Sequence, residues 1–176
     1  MVKPILLVLG AIPAIVAILI AIPIITKPDI PYSASVPSDI IEIEFTKHNI
    51  KKVSFGVTER TIPQTSEILI IKDNGDVRYT ITKGGEPQPD KHFKLDEATL
   101  KKLSAIIKET GFMEIPSESF PVSDEADNYD RFSVKVTLNG AVKQIYWPEQ
   151  NATNKFVPPI ITLVETELEQ VISKIS

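Results

Sequence analysis

The chain has 176 residues and a formal net charge of −4, from 19 Lys and Arg against 23 Asp and Glu. That balance excludes a strongly basic nucleic-acid binder. There is no Cys and there are only two His, which excludes disulfides, thiol catalysis, cysteine zinc sites, iron–sulfur clusters and a protein-only three-histidine metal site.

Residues 5–25 comprise eight Ile, four Leu, two Val, four Ala, one Gly and two Pro, without a charge or a hydroxyl. At about 1.5 Å rise per residue, a helix of this length reaches roughly 31 Å, close to the ~30 Å hydrocarbon core of a bilayer. Pro13 and Pro23 would each cost about 3 kcal/mol in a soluble helix, but membrane helices tolerate proline better. The run exceeds the usual ~7–15 apolar residues of a signal peptide, and the nearest small-x-small stretch, Ser33-Ala34-Ser35, lies well beyond its end. The expectation is an uncleaved transmembrane anchor over residues 1–26, in lipid through Ile5, Leu19 and Ile25; a cleaved leader is the alternative.

Lys3 and the terminal amine precede the span, so the positive-inside bias places the N-terminus inward and the rest of the chain outside the cytoplasm. The acceptor triplet Asn151-Ala152-Thr153 is compatible with that orientation and makes Asn151 a glycosylation candidate. Residues 27–38, with Pro28, Pro31 and Pro37, read as a stiff extended tether. Residues 39–176 form the extracytoplasmic domain.

In that domain, Ile41-Glu42-Ile43-Glu44-Phe45 alternates as a strand should, and Val53, Phe55 and Val57 repeat the period after a polar stretch. The two read as a hairpin with a long loop, followed by a connection over residues 58–65. Asp73-Asn74-Gly75-Asp76 predicts a type I′ hairpin turn that would oppose Ile70 to Tyr79 and Ile68 to Ile81. Residues 83–94 read as a connection. Asp96 is then an N-cap, Glu97 sits in the first turn, and Leu95 with Leu100 occupy the hydrophobic-staple positions. Leu100, Leu103, Ile106 and Ile107 form the apolar stripe, and Gly111 is the expected left-handed terminator. Phe132, Val134, Val136 and Leu138 alternate toward Asn139-Gly140, a second type I′ signal pairing Phe132 with Trp147, Val134 with Ile145 and Leu138 with Ala141. A closing helix starts near Ile160. The order is β-β-β-β-α-β-β-α: an α+β fold in which an antiparallel sheet of hairpins packs with two helices.

Residues 67–175 resemble the emfourin-type small domains, known from a proteinaceous inhibitor of thermolysin-family metalloproteases. The shared features are a first hairpin, a connection ending in Lys94-Leu95-Asp96, a helix with Leu100 and Leu103, then Gly111-Phe112, Ile115-Pro116, the Asp- and Tyr-containing lead at residues 127–130 and a closing helix. The family's Gly-rich first turn is replaced here by Asp73-Asn74-Gly75-Asp76. The resemblance implies this small-domain fold and allows an inhibitory role, but carries over no inhibitory residue.

Chemistry-bearing groups are sparse. Asp124, Asp127 and Asp130 could offer oxygens to Ca²⁺, although the spacing is not that of an EF-hand; a solvated loop is the other reading. His48 and His92 read as surface residues, and Ser104 and Ser133 lack a nucleophile-elbow context. Gly84-Gly85 reads as a turn. Tyr146 and Trp147 are a possible partner-contact pair, weighed against a core role for Trp147 beside Phe132. The expectation is a membrane-anchored, non-catalytic, protein-binding domain without a cofactor, touching lipid through residues 5–25 and a second protein, but no nucleic acid. An accessory subunit of a membrane complex, an envelope protease inhibitor or adhesion module, and an envelope hydrolase are the readings in that order.

Overall fold

Alternating apolar side chains in β1 (Ile41–Phe55) set the plan of the fold, because Ile41, Ile43 and Phe45 all point to one face and are buried. The structure, a computed structural model, describes residues 38–116 and 120–175. These residues belong to one compact unit spanning Pro31–Ser176. Residues 1–37, which hold the expected anchor with Ile5, Leu19 and Ile25 and nearly all of the tether, lie outside the described residues. Among the described residues no helix is long and apolar enough to cross a membrane.

The other elements are β2 (Thr58–Ile71), β3 (Asp76–Lys83), the short β4 (Glu86–Pro87) and β5 (Lys91–Lys94), α1 (Glu97–Glu109), β6 (Asn128–Leu138), β7 (Ala141–Pro148) and α2 (Pro159–Ile175). The strands make one seven-stranded sheet in the order β4-β3-β2-β1-β6-β7, with β5 also on β3. Every pairing is antiparallel. The α+β architecture read from the sequence therefore holds, with longer and more numerous strands than expected.

The core is a set of cross-strand rows on one face. Val77, Ile71, Ile43 and Val136 form one row, and Tyr79, Leu69, Phe45, Val134 and Ile145 the next. Against them lie Leu103, Ile106 and Ile107 of α1 and Ile161, Val164, Leu168 and Val171 of α2. Phe132 stacks between Phe45 and Trp147, with ring centroids 6.2 and 5.7 Å away. The opposite face carries Glu42, Glu44, Ile68, Ile70, Arg78, Lys135 and Tyr146, the one-sided burial typical of antiparallel sheets. At one end of that face, Ile50 and Tyr129 are covered by Ala152 with Val122 and Ala126.

Three expectations need correction. The first hairpin has no long loop: β1 runs unbroken through residues 46–52, and residues 58–65 are strand. A bulge at Gln64 makes this possible. Asn49 pairs with Thr65 but Ile50 with Pro63, so the extra residue lets a proline sit in β2 where no β3 neighbour needs its missing N–H. Second, residues 83–94 hold β4 and β5, which are too short and too exposed to give an alternation to detect.

Third, the turn at Asn74-Gly75 is one residue longer than predicted. Gly75 N–H donates to Lys72 O at 2.9 Å, Lys72 N–H to Asp76 O at 2.9 Å, and only Gly75 has positive φ, +83°. This is a type I turn closed by a Gly bulge, a three-residue loop. Ile71 thus pairs with Val77 and Leu69 with Tyr79, and the slip sends Ile68 and Ile70 to the uncovered face. The second Asn-Gly pair behaves as expected: Asn139 and Gly140 have φ of +50° and +84°, and Phe132 faces Trp147. The start of α1 also follows its signals, with Asp96 Oδ1 accepting from Thr99 N–H at 2.7 Å and Gly111 left-handed at +67°.

Candidate functional site

The helix-covered face turns polar past the core. The row after Tyr79–Leu69–Phe45–Val134–Ile145 is Ile81, Glu67, Lys47, Phe132 and Trp147. There α2 places Glu165 and Glu169 over a cleft of about 310 Å³ lined also by Glu149, Gln150 and Thr162. The Lys47 ammonium lies 2.9 Å from Glu169, 3.5 Å from Asp130 and 5.4 Å from the centre of the Phe132 ring. Burial alone would lower its pKa. The hydrogen bond to Glu169 and the charges of Glu169, Asp130 and Glu67 outweigh burial and leave it raised. The Trp147 indole donates to Glu165 at 3.0 Å. Burial pushes the Glu165 carboxyl above its ordinary range, the indole opposing that and Glu169 adding to it. These polar groups answer one another, so the cluster fastens α2 to the sheet.

A second recess, of about 510 Å³, opens at the corner where β2, β3 and β5 meet. Ile70, Lys72, Asp76, Arg78 and His92 share its face, whereas Val77 and Phe93, which also border it, pair with each other on the helix-covered side, where Val77 is buried. Asp76 is already engaged: Lys94 donates to one oxygen and Asn74 to the other, each at 2.8 Å. The Lys94 hydrogen bond is the main reason that its carboxyl stays below the usual range.

The third feature is a two-stranded arm. Pairing of β1 with β6 ends at Lys51 and Asn128, and pairing of β2 with β3 begins at Thr65, so residues 52–64 extend as a ribbon without strand neighbours among the described residues. At about 3.3 Å per residue the pairs from Lys52–Thr61 to Phe55–Thr58 project it roughly 13 Å. Residues 58–64 are exposed, and Val57 at the tip is fully so. Lys52 clamps the stem. Its N–H donates to Asp127 O at 2.6 Å, and its ammonium reaches Asp124 O at 3.1 Å and Glu59 at 2.8 Å.

That clamp uses main-chain carbonyls of the acidic stretch in which Asp124, Asp127 and Asp130 suggested Ca²⁺. Asp130 turns to the other face, accepting from Asn49 at 2.9 Å, so the three carboxylates do not converge. Among the described residues no group of three or more acidic or histidine side chains is arranged to hold a metal ion. Tyr146 and Trp147 separate as neighbours on a strand must: Trp147 is 2% exposed in the core, while Tyr146 is 50% exposed on the uncovered face. Trp147 is therefore not a surface contact. Asn151 is exposed, whereas the Thr153 hydroxyl is buried and donates to Pro121 O at 2.7 Å.

His48 Nδ1 lies 2.8 Å from the Ser66 hydroxyl, and burial, aided by Arg131, lowers its pKa. His92 lines the corner recess, exposed on β5. Sequence reasoning missed Lys47, Glu165 and Glu169 because they are far apart in the chain. The unbroken alternation of Phe45, Lys47 and Asn49 could have placed Lys47 on the core face. No family model and no curated protein matches the chain.

Proposed function

We propose that the chain is a non-catalytic, membrane-anchored protein whose extracytoplasmic domain binds another protein, as an accessory subunit of a membrane complex. The arm carries this reading. A two-stranded ribbon by itself is marginal in water, and one whose edges have no strand neighbours among the described residues and which exposes Val57 and Ile62 is suited to gaining neighbours by strand addition. The apolar residues 5–25 and the proline-containing tether support the anchored, outward placement.

A protease inhibitor or adhesion module of the cell envelope is the alternative, favoured by the emfourin-like pattern of residues 67–175. It would act through the loops of the domain. An envelope hydrolase ranks third; His48 faces a hydroxyl where acid–base work would want a carboxylate.

Purification of the full chain from native membranes in mild detergent tests the first reading. A stoichiometric partner that is lost when residues 53–62 are replaced by a two-residue Asn-Gly turn supports it. Inhibition of thermolysin-type proteolysis by the purified chain, with no such partner, favours the alternative.

A further inference from the structure

The charges of the arm are sorted by face. The alternation of β1 carries on past Lys47 through Asn49 to Lys51 and Val53, and the register sets Ile62 beside Lys51 and Arg60 beside Val53. One face of the ribbon therefore presents Lys51, Ile62, Val53 and Arg60, with Lys51, Arg60 and Ile62 exposed. Lys51 lies between Ile62 and Asn128, so neither cation of this face meets a carboxylate across a strand. The other face holds Lys52 and Glu59, which neutralise each other at 2.8 Å. A chain of net charge −4 thus offers a cationic and partly apolar face on its projecting element.

The two edges of the ribbon differ as well. The Lys52 N–H points away from β2, to Asp127 O, so the β1 edge of the stem is taken. In an antiparallel pair that orientation turns the N–H and C=O of the opposed Thr61, and of Glu59 two residues on, away from β1. No strand lies beside them among the described residues. We propose that the partner of the arm is an acidic extended segment of a protein, which adds to this β2 edge over residues 59–62. It sets a carboxylate beside Arg60 and an apolar side chain beside Ile62, with Lys51 adding positive potential one strand in. The proposal rests on the arm being a protein-binding element, and adds the edge used and the charge it takes. Opposite charges across a strand pair stabilise it and like charges oppose it, so a basic segment is refused. An anionic bilayer would attract the same cations but could not satisfy the open main chain.

Fluorescence anisotropy of the full chain in phosphatidylcholine nanodiscs tests this with a labelled octapeptide that alternates Thr with Val and Glu. The controls are the same peptide with Lys in place of Glu, and the acidic peptide N-methylated at alternate residues. The acidic peptide is expected to bind saturably and both controls about tenfold or more weaker. Lys51→Gln/Arg60→Gln should weaken it about tenfold, whereas Lys72→Gln/Arg78→Gln should leave it unchanged. Far-ultraviolet circular dichroism establishes that the variants are folded. No binding of the acidic peptide, equal binding of either control, or undiminished binding by the Lys51/Arg60 pair variant overturns the proposal. So does crosslinking from Val57 to lipid rather than to the peptide in phosphatidylserine nanodiscs, which assigns the arm to a membrane surface. The underlying reading fails separately. A protein adduct at Val57 in intact membranes that survives Lys51→Glu/Arg60→Glu keeps the arm as a protein-binding element and overturns the acidic partner; no protein adduct at all removes both.

Discussion

Lys47 Nζ and Glu169 Oε1 stand 2.9 Å apart across the seam between the sheet and α2. They are not equal partners. Lys47 is the cation that faces Glu169, Asp130 and Glu67 together, whereas Glu169 is one of several anions and is 43% exposed on its side chain. Replacing Lys47 by Met leaves the anions without their counter-charge and is expected to lower stability by about 1–3 kcal/mol. Glu169→Gln is expected to cost less than about 1 kcal/mol, as for exposed pairs. Urea unfolding of the two variants checks the asymmetry; equal losses would contradict it.

Glu165 supplies a pH signature. Its folded-state pKa is raised, so its favourable contribution is fully present below the ordinary carboxylate range and is lost as pH rises through the folded value. Glu165→Gln fixes the uncharged form and can still accept from Trp147. The variant should melt above the wild type at pH 7, and the gap should close toward pH 4. A constant gap across that range would refute the assignment.

His48 gives the opposite slope. Its folded pKa is depressed, so its contribution is present above about pH 6.5 and is lost as pH falls through the lower folded value. His48→Gln should flatten the decline in melting temperature between about pH 7 and pH 5. Arg131 adds to the depression, so Arg131→Gln should make the His48-dependent decline smaller.

The glycines separate backbone freedom from crowding. Gly75 and Gly84 both have positive φ, +83° and +57°, but a Cβ on Gly75 would lie 3.1 Å from Leu95 O, while one on Gly84 meets nothing within 4 Å. Gly84→Ala should cost about 1 kcal/mol for its backbone alone. Gly75→Ala should cost more, about 2 kcal/mol, because the strand-like Leu95 N–H to Gly75 O bond of 2.9 Å would have to shift too. Denaturant midpoints rank the two directly.

The two Asn-Gly pairs show how far local chemistry reads into structure. At Asn139-Gly140 both residues take the positive φ that the dipeptide favours, and Asn139 is held by Ile40 and Asp39. At Asn74-Gly75 the same letters close a longer loop, because the register that buries Tyr79 against Leu69 and Gly75 beneath Leu95 outweighs the local turn preference. The cap at Asp96 and the stripe of α1 are local signals, and they were legible. The recess was not: Arg78 joins Ile70 and His92 only once the turn slips by one residue, and β5 has no apolar period to announce it. The arm was hidden for a related reason, since the bulge at Gln64 lets a proline-containing segment remain strand.

The proposed role of the arm is to engage a protein outside the cytoplasm. Its most direct measurement places a photo-crosslinking residue at Val57 of the full chain in intact membranes, with the same group at exposed Gln170 on α2 as the control. One defined protein adduct is expected at Val57 and none at Gln170. Identical adducts at both positions, or none at Val57, would contradict it.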